Sequence, residues 1–179
     1  MNKEQMTLCK ALMLHKVIFK KGKMKIRRAG EQDLEGINRL LFQVCAVHHN
    51  GRPDLFKAGA KKYTDSQLLA ILQDDETPVF AAVDENDELM GYAFCVFIRQ
   101  KDNNIFEDMT TLYIDDLCVD ESLRGKHVGS ALYEAVLAFA REQGCYNVTL
   151  NVWSLNEGAM RFYEACGLKP QKVGMEVIL

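Results

Sequence analysis

The stretch Arg124-Gly125-Lys126-His127-Val128-Gly129-Ser130 decides the fold of this chain through the segments on either side of it. An apolar, strand-like segment precedes it at residues 112–119, and an amphipathic helix pattern follows it at residues 131–140. A strand, a short loop and a helix start together form an anion site, because the first helical turn leaves its N–H groups unpaired. The two glycines let the backbone approach a phosphate closely, and the arginine and lysine add positive charge. The stretch therefore predicts a site for a diphosphate.

The loop resembles the acetyl-coenzyme A loop of the GNAT N-acetyltransferase family, usually written Arg/Gln-x-x-Gly-x-Gly/Ala. Arg124 and Gly129 match this motif, and Gly125 is a frequent companion. His127 stands where the first required glycine belongs. It must therefore adopt either a negative φ or a tolerated left-handed geometry.

A second segment carries the same resemblance further along the chain. Residues 156–168 read Asn-Glu-Gly-Ala-Met-Arg-Phe-Tyr-Glu-Ala-Cys-Gly-Leu. They resemble the family signature Asn-x-x-Ala-x-x-Phe-Tyr-x-x-x-Gly-Phe, with Leu168 in place of the last Phe. The order and separation of the two motifs also agree with the family, and the resemblance covers about residues 24–179.

Composition sets limits on the class of protein. With 179 residues and 48% hydrophobic residues, the chain predicts one globular domain. The net charge of −3 gives no basic field for nucleic acid, and no apolar run is long enough to cross a membrane. Six cysteines without Cys-x-x-Cys spacing predict reduced thiols, a cytoplasmic protein and no metal site.

The first 23 residues differ from the rest, with lysines scattered among apolar residues. Lys10 and Lys16 interrupt the apolar core that a signal peptide requires. Two interpretations stay open: a helical extension over residues 4–16, or a natural start at Met24. We expect the family-like domain to span residues 24–179.

Downstream of residue 24 the pattern alternates between strands and helices, which predicts an α+β fold around one mixed sheet. The resemblance implies a mostly antiparallel sheet flanked by helices on both faces. The predicted strands are 25–28, 78–83, 89–98, 112–119, 147–153 and 174–179, and the predicted helices are 31–48, 65–73, 127–143 and 156–166, with a turn cluster at 50–54.

The resemblance implies how acetyl-coenzyme A is held. The strand at 112–119 diverges from the next one, and pantetheine pairs with main-chain groups in the gap. Asn156 either contacts the cofactor or caps its helix, and these roles are compatible. The expected cofactor-binding residues are Leu117, Cys118, Val119, Arg124, Gly125, Lys126, His127, Val128, Gly129, Ser130 and Asn156.

The chemistry requires a base, because an alkylamine with a pKa of about 10.4 is protonated at pH 7. Asp115 and Asp116 are the local candidates, and strand alternation predicts that their side chains point to opposite faces. The surrounding stretch resembles polyamine acetyltransferases, in which the first acid of the pair is the proposed base. This indicates Asp115, with partial burial or a water relay to raise its basicity.

The departing thiolate requires an acid. Tyr163 matches the general acid of the family, although a phenol with a pKa of about 10 gives its proton to a thiolate near 8.5 only against a gradient of about 2 kcal/mol. We therefore expect Tyr163 to stabilise the sulfur first and to transfer its proton late. A covalent relay through Cys118 is disfavoured, since direct transfer needs no acyl-enzyme.

Three other residues near the expected site have weaker signals. His48 and His49 are interpreted as exposed loop residues, and Trp153 either lines the substrate site or packs in the core.

The sequence thus predicts an acetyl-coenzyme A-dependent N-acetyltransferase acting on a primary amine, with a small cationic amine favoured by the acidic pair. Protein N-termini or lysines as acceptors, and a non-catalytic acyl-coenzyme A-binding module, are the alternatives. We expect no nucleic-acid or membrane partner, and a homodimer stays open.

Overall fold

The computed structural model describes residues 19–21 and 24–179. The extension considered for residues 4–16 lies outside this range. The strands are β1 (Phe19–Lys21), β2 (Met24–Arg28), β3 (Val79–Val83), β4 (Leu89–Gln100), β5 (Met109–Val119) and β6 (Asn147–Leu150). The helices are α1 (Leu34–Gly51), α2 (Asp65–Gln73), α3 (Val128–Glu142) and α4 (Glu157–Ala165), with short 3-10 turns at Glu31–Asp33 and Glu121–Leu123.

The described strands form one mixed sheet in the order β1-β2-β3-β4-β5-β6. The first four neighbouring pairs are antiparallel, and β5 and β6 pair in parallel. A parallel pair needs a crossover connection, and α3 provides it between β5 and β6. The predicted α+β class and the mostly antiparallel sheet are confirmed.

Helices cover both faces of this sheet, because each face carries its own apolar cluster. On one face, α3 buries Val128, Leu132 and Val136 against side chains of β2, β3, β4 and β5. On the other face, Ile37 and Leu41 of α1, together with α2, pack against side chains of β3, β4 and β5. The 3.6-residue period of α1 and α3 therefore fixes which side of the sheet each helix covers.

An ion cluster joins the start of the sheet to the β3–β4 hairpin. The Arg27 guanidinium donates to both carboxylate oxygens of Asp33 at 2.7 and 2.9 Å, and to Asp87 at 2.8 and 3.2 Å. Arg27 and Asp33 are buried. Each of these two charged groups supplies the partner of the other, and burying either one unpaired would cost free energy of folding.

The strand predicted at 147–153 ends at Leu150, and two further predictions are wrong. The helix α1 continues through Gly51, so the predicted turn begins only at Arg52. The strand predicted at residues 174–179 does not form, and residues 169–179 are exposed and irregular. Among the described residues β6 has four residues and pairs only with β5, while the Glu176 carboxylate binds Arg52 at 2.8 Å. The alternating apolar residues of 174–179 therefore have no described strand with which to pair.

Within the described residues, no helix combines the length and apolar character needed to cross a membrane.

Candidate active site

The loop before α3 presents a cluster of unpaired backbone donors. Among the described residues, no hydrogen-bond acceptor is found for the N–H groups of Gly125, His127, Val128, Gly129 and Ser130. The side chains at 124–127 are exposed, so the loop is open to a ligand. Convergent N–H groups at a helix start bind anions, and Arg124 and Lys126 add positive charge beside them. The residues present therefore fit a diphosphate.

His127 adopts the backbone conformation that the missing glycine would supply. Its φ of 64° and ψ of 14° lie in the left-handed region, next to Gly125 with φ of 77°. A non-glycine residue holds this conformation at a cost of roughly 1–2 kcal/mol. The backbone of the loop therefore follows a path open to glycine at this position, although a histidine stands there.

Gly129 allows a close approach between the first turn of α3 and α4. A Cβ at this position would lie 3.3 Å from the Phe162 ring. The rings of Phe162 and Tyr163 contact each other edge to face at 5.1 Å. The anion loop is thereby linked, through one aromatic side chain, to the tyrosine expected to act as the acid.

The edge of β5 that the sequence predicts to border a gap is unpaired in the part of the chain that the structure describes. Thr111–Ile114 of β5 pair with Asn147–Leu150 of β6, and the pairing ends there. Residues 116–119 pair only with β4. The main chain of Leu117, Cys118 and Val119 thus borders an edge that no described strand covers, beside the anion loop. An extended ligand can bind such an edge as an added strand does.

A β-bulge in β5 changes the positions of the two acidic residues. Phe94 pairs with Asp116 and Cys95 pairs with Ile114, so Asp115 is an extra residue in the ladder. Asp115 contacts Tyr63 and Asp116 contacts Tyr92, two residues of the cluster on the α1–α2 face. The prediction of opposite faces is wrong, because the bulge interrupts the alternation.

Asp115 is held by two donors from the segment before α2. The Lys62 ammonium and the Tyr63 hydroxyl each donate to the same carboxylate oxygen at 2.6 Å. The Tyr63 ring also contacts Phe94 at 5.6 Å between ring centroids. Asp115 therefore carries a compensated negative charge at the mouth of the gap.

Asp116 is in a different electrostatic environment. The Tyr92 hydroxyl donates to its carboxylate at 2.8 Å, and Tyr92 itself is fully buried. Burial raises the pKa of Asp116 to about 6, against the smaller lowering effects of Tyr92 and Lys62. A carboxylate with such a pKa is ionised at neutral pH and is a stronger base than an ordinary aspartate.

Tyr163 lies on α4 within the electrostatic field of Asp116. Burial raises the pKa of its hydroxyl well above the usual value, and the nearby Asp116 charge adds to the effect. Among the described residues the hydroxyl has no hydrogen-bond partner. It is protonated at neutral pH and available to donate to a ligand.

Cys118 is buried, and burial raises the pKa of its thiol to about 12. Its Sγ lies 3.7 Å from the Leu40 carbonyl oxygen. A thiol that is neutral and buried in this way does not act as a nucleophile, in agreement with the expectation from the sequence.

An aromatic pocket adjoins the end of α1. His48 stacks on Phe56 at 5.1 Å, and Trp153 meets Phe56 edge to face at 5.3 Å. The cavity has a volume of about 270 Å³ and also contacts the start of α4. Burial lowers the pKa of His48, followed by the Lys62 charge. Trp153 lines this pocket instead of filling a core.

Two further expectations have clear outcomes. His48 and His49 lie in the last turn of α1 and are partly buried, so their interpretation as exposed loop residues is wrong. The His49 Nδ1 pairs with the Phe56 carbonyl at 2.7 Å. Asn156 caps α4 by accepting from the Ala159 N–H at 3.1 Å.

Sequence reasoning missed Lys62, Tyr63, Tyr92 and Phe56. Lys62, Tyr63 and Phe56 belong to no periodic or spaced motif, and they reach the site through the packing of the 52–64 segment on the sheet. Tyr92 lies in β4 and reaches Asp116 from the neighbouring strand. The run Lys61-Lys62-Tyr63 before the helix cap Thr64 was the one available signal.

A model of the acetyltransferase (GNAT) family matches residues 45–168 of the chain. The crystal structure of a tetramutant of the BH1408 protein from Bacillus halodurans superposes with a TM-score of 0.82 at 32% identity. That superposition covers 86% of this chain and 99% of the other.

Two curated relatives match over shorter regions. The glucosamine 6-phosphate N-acetyltransferase 1 of Dictyostelium discoideum is 30% identical over 67 residues, 37% of this chain and 41% of the relative. The peptidyl-lysine N-acetyltransferase YjaB of Escherichia coli is 31% identical over 94 residues, 52% of this chain and 51% of the relative. The alignments thus span about half or less of these relatives.

Proposed function

Since the chain belongs to the acetyltransferase (GNAT) family, we propose that it transfers an acetyl group from acetyl-coenzyme A to a primary amine. The observation that carries the proposal is the row of unpaired N–H groups at the start of α3, directly beside the open edge of β5. Asp116 lies at the bulge of β5, and its charge contributes to the raised pKa of the Tyr163 hydroxyl; in this proposal they are the base and the acid.

In this proposal the chain binds its co-substrate in two ways. The N–H groups of Gly125 and of residues 127–130 hold the pyrophosphate, with the Arg124 and Lys126 side chains as counter-charges. The main chain of Leu117, Cys118 and Val119 pairs with the pantetheine amides. Asn156 contributes by fixing the start of α4, which carries Tyr163.

The acidic pair divides the work on the amine. Asp116 accepts the proton of the incoming ammonium. Its pKa of about 6 is closer to the pKa of an alkylamine than the pKa of an ordinary carboxylate is, so the proton transfer costs less free energy. Asp115 attracts the ammonium electrostatically. The sequence prediction that Asp115 itself is the base stays a prediction, and the pH dependence of Asp115→Asn and Asp116→Asn separates the two residues.

Direct attack needs no covalent enzyme intermediate. The deprotonated amine attacks the thioester carbonyl, the C–N bond forms and the C–S bond breaks. Tyr163 hydrogen-bonds to the sulfur as negative charge develops and gives up its proton last, because its raised pKa opposes early transfer.

A small cationic amine is the acceptor that the charges and shape favour. Two carboxylates lie on one face of the site, and the aromatic rings of Phe56 and Trp153 border a cavity of about 270 Å³. Carboxylates and aromatic faces both attract ammonium groups. The named relatives act on an amino sugar phosphate and on lysine side chains, so peptide acceptors remain the second candidate.

A panel of amines scored by release of coenzyme A thiol tests the function. The panel contains polyamines, aminoglycosides, amino sugars and lysine peptides. Thiol release with at least one cationic amine supports the proposal. Binding of acetyl-coenzyme A without thiol release from any amine would instead indicate a non-catalytic acyl-coenzyme A-binding module.

Calorimetry on Arg124→Ala tests the cofactor site. Loss of one charge-assisted contact to the pyrophosphate should weaken the affinity for coenzyme A roughly tenfold, or about 1.4 kcal/mol. Lys101→Ala removes the same charge from the exposed β4–β5 connection and serves as the control. Equal affinities in both variants would contradict the assignment of the loop.

A further inference from the structure

The Lys62 side chain already places a primary amine in the acceptor site. Its Nζ donates to the Asp115 carboxylate at 2.6 Å and lies 5.4 Å from the centroid of the Tyr63 ring. A carboxylate and an aromatic face are the groups that bind an ammonium. The chain thus fills the proposed ammonium position with its own lysine.

Lys62 is also electrostatically connected to the groups that would activate it. Its charge lowers the pKa of the neighbouring Asp116, against the larger effect of burial. Asp116 in turn raises the pKa of the Tyr163 hydroxyl. The Lys62 amine contacts Asp115, and Asp115 adjoins Asp116 at the bulge of β5.

Lys61 provides a contrast one residue away. Its Nζ is bound to the Asn38 amide oxygen at 2.7 Å and to Asp65 at 2.5 Å, on the α1–α2 side of the segment. Both lysine side chains are partly exposed, at 23% for Lys61 and 38% for Lys62. General chemical reactivity with an acetyl donor should therefore differ little between them.

We propose that Lys62 is a site of self-acetylation. In the absence of an external amine, the Lys62 ammonium loses a proton to the Asp115–Asp116 pair through its contact with Asp115, and its nitrogen attacks the thioester carbonyl of acetyl-coenzyme A. The C–N bond forms and the C–S bond breaks. The second amine proton leaves to solvent, and the thiolate leaves as coenzyme A after taking the Tyr163 proton. The products are one Nε-acetyllysine and one coenzyme A thiol. This inference rests on the proposed function.

The experiment incubates the full chain with acetyl-coenzyme A carrying a deuterated acetyl group, without any amine. Tandem mass spectrometry then separates label on Lys61 from label on Lys62. We expect label on Lys62 to exceed label on Lys61 at least tenfold and to approach one acetyl group per chain. Tyr163→Phe should reduce the Lys62 label, and an acceptor amine in excess should delay it.

Matched variants separate enzymatic from chemical labelling. Lys62→Arg keeps the charge beside Asp115 and removes the acceptor nitrogen, so the label should disappear. Lys61→Arg should leave it unchanged. Acetic anhydride, which needs no site, should label both lysines comparably.

Equal label on the two lysines, or none on Lys62 while the amine panel releases thiol, overturns the inference and leaves the proposed function standing. No label together with no thiol release from any amine overturns both.

Discussion

At the scale of single residues, Asp116 carries the sharpest consequence. Its pKa is raised to about 6 by burial. If Asp116 is the base, kcat/KM for a cationic amine should rise with pH through an inflection near 6. Asp116→Asn should remove that inflection, whereas Asp115→Asn should weaken amine binding and keep it. The reverse outcome would make Asp115 the base, as the sequence alone suggests.

The same residue should affect folding stability in the opposite direction. A carboxyl whose pKa is higher in the folded than in the unfolded chain binds more protons when folded. The folding free energy therefore becomes less favourable as pH rises from about 3.8 to about 6. At pH 7 the Asp116→Asn variant should be more stable than the parent by on the order of 1–3 kcal/mol. Thermal unfolding at pH 7 measures this, and a lower melting temperature would contradict it.

Tyr163→Phe tests the acid. The variant keeps the ring and its contact with Phe162 but removes the hydroxyl. We expect kcat to fall about 10²-fold if acid catalysis is fully used. Affinity for coenzyme A should barely change, because the hydrogen bond strengthens only as the thiolate forms. Steady-state kinetics measure kcat, and calorimetry measures the affinity for coenzyme A. An unchanged kcat would show that water, and not Tyr163, protonates the thiolate.

Residue identities could be predicted only where a motif carries them. The strand–loop–helix pattern predicts an anion site at 124–130, and the resemblance of two motifs to the family indicates its cofactor and Tyr163. Lys62 and Tyr63 could not be predicted, because they reach Asp115 across 53 and 52 positions of sequence through the fold of a connecting segment. The same-face arrangement of the acidic pair was missed because a bulge leaves no periodic trace in the sequence.

At the scale of helices and strands, the close contact between β4 and β5 is the vulnerable feature. A Cβ at Gly91 would lie 2.8 Å from the Cys118 carbonyl oxygen and 3.2 Å from Leu132. Gly91→Ala should therefore push β5 away from β4 and lower stability by about 1–3 kcal/mol.

Thermal unfolding of Gly91→Ala should show a melting temperature several degrees lower. Gly174→Ala, where no atom lies within 4 Å of an added Cβ, should leave the melting temperature unchanged. Equal melting temperatures in the two variants would show that β5 moves away from the added Cβ without a loss of stability.

Element prediction succeeded where periodicity and capping agreed. The bounds of α2 matched the prediction of 65–73, since Thr64 and Gln67 form a capping box at its start. The strand predicted at 174–179 failed because alternation identifies a segment that can be a strand, whereas a strand also needs a neighbour. A sequence pattern does not show which strand of the sheet keeps an unpaired edge.

At the scale of the whole molecule, the Arg27 cluster joins β2, the Glu31–Asp33 turn and the β3–β4 hairpin. Removing the guanidinium leaves the buried Asp33 carboxylate without its partner. Arg27→Met should therefore cost about 3–5 kcal/mol. Addition of Asp33→Asn should recover part of the loss, because it removes the unpaired charge. Urea unfolding at pH 7 measures both variants, and a neutral single variant would contradict the account.

The pH dependence of this cluster has a definite sign. Arg27 lowers the pKa of Asp87 below its usual 3.8, through hydrogen bonds first and charge second. A depressed carboxyl pKa stabilises the fold above about pH 3.8 and loses this contribution as pH falls further. The stability difference between parent and Asp87→Asn should thus shrink in acid. Its persistence well below that pH would show that Asp87 acts by geometry alone.

The end of the β5–β6 pairing at Ile114 and Leu150 has a consequence for evolution. A longer run of paired strands would make the sheet harder to melt, but it would remove the gap in which the co-substrate is proposed to bind. Heat-resistant variants selected without regard to activity should therefore accumulate substitutions at residues 115–119 and 151–153. Such variants should melt at a higher temperature and lose the proposed acetyl transfer.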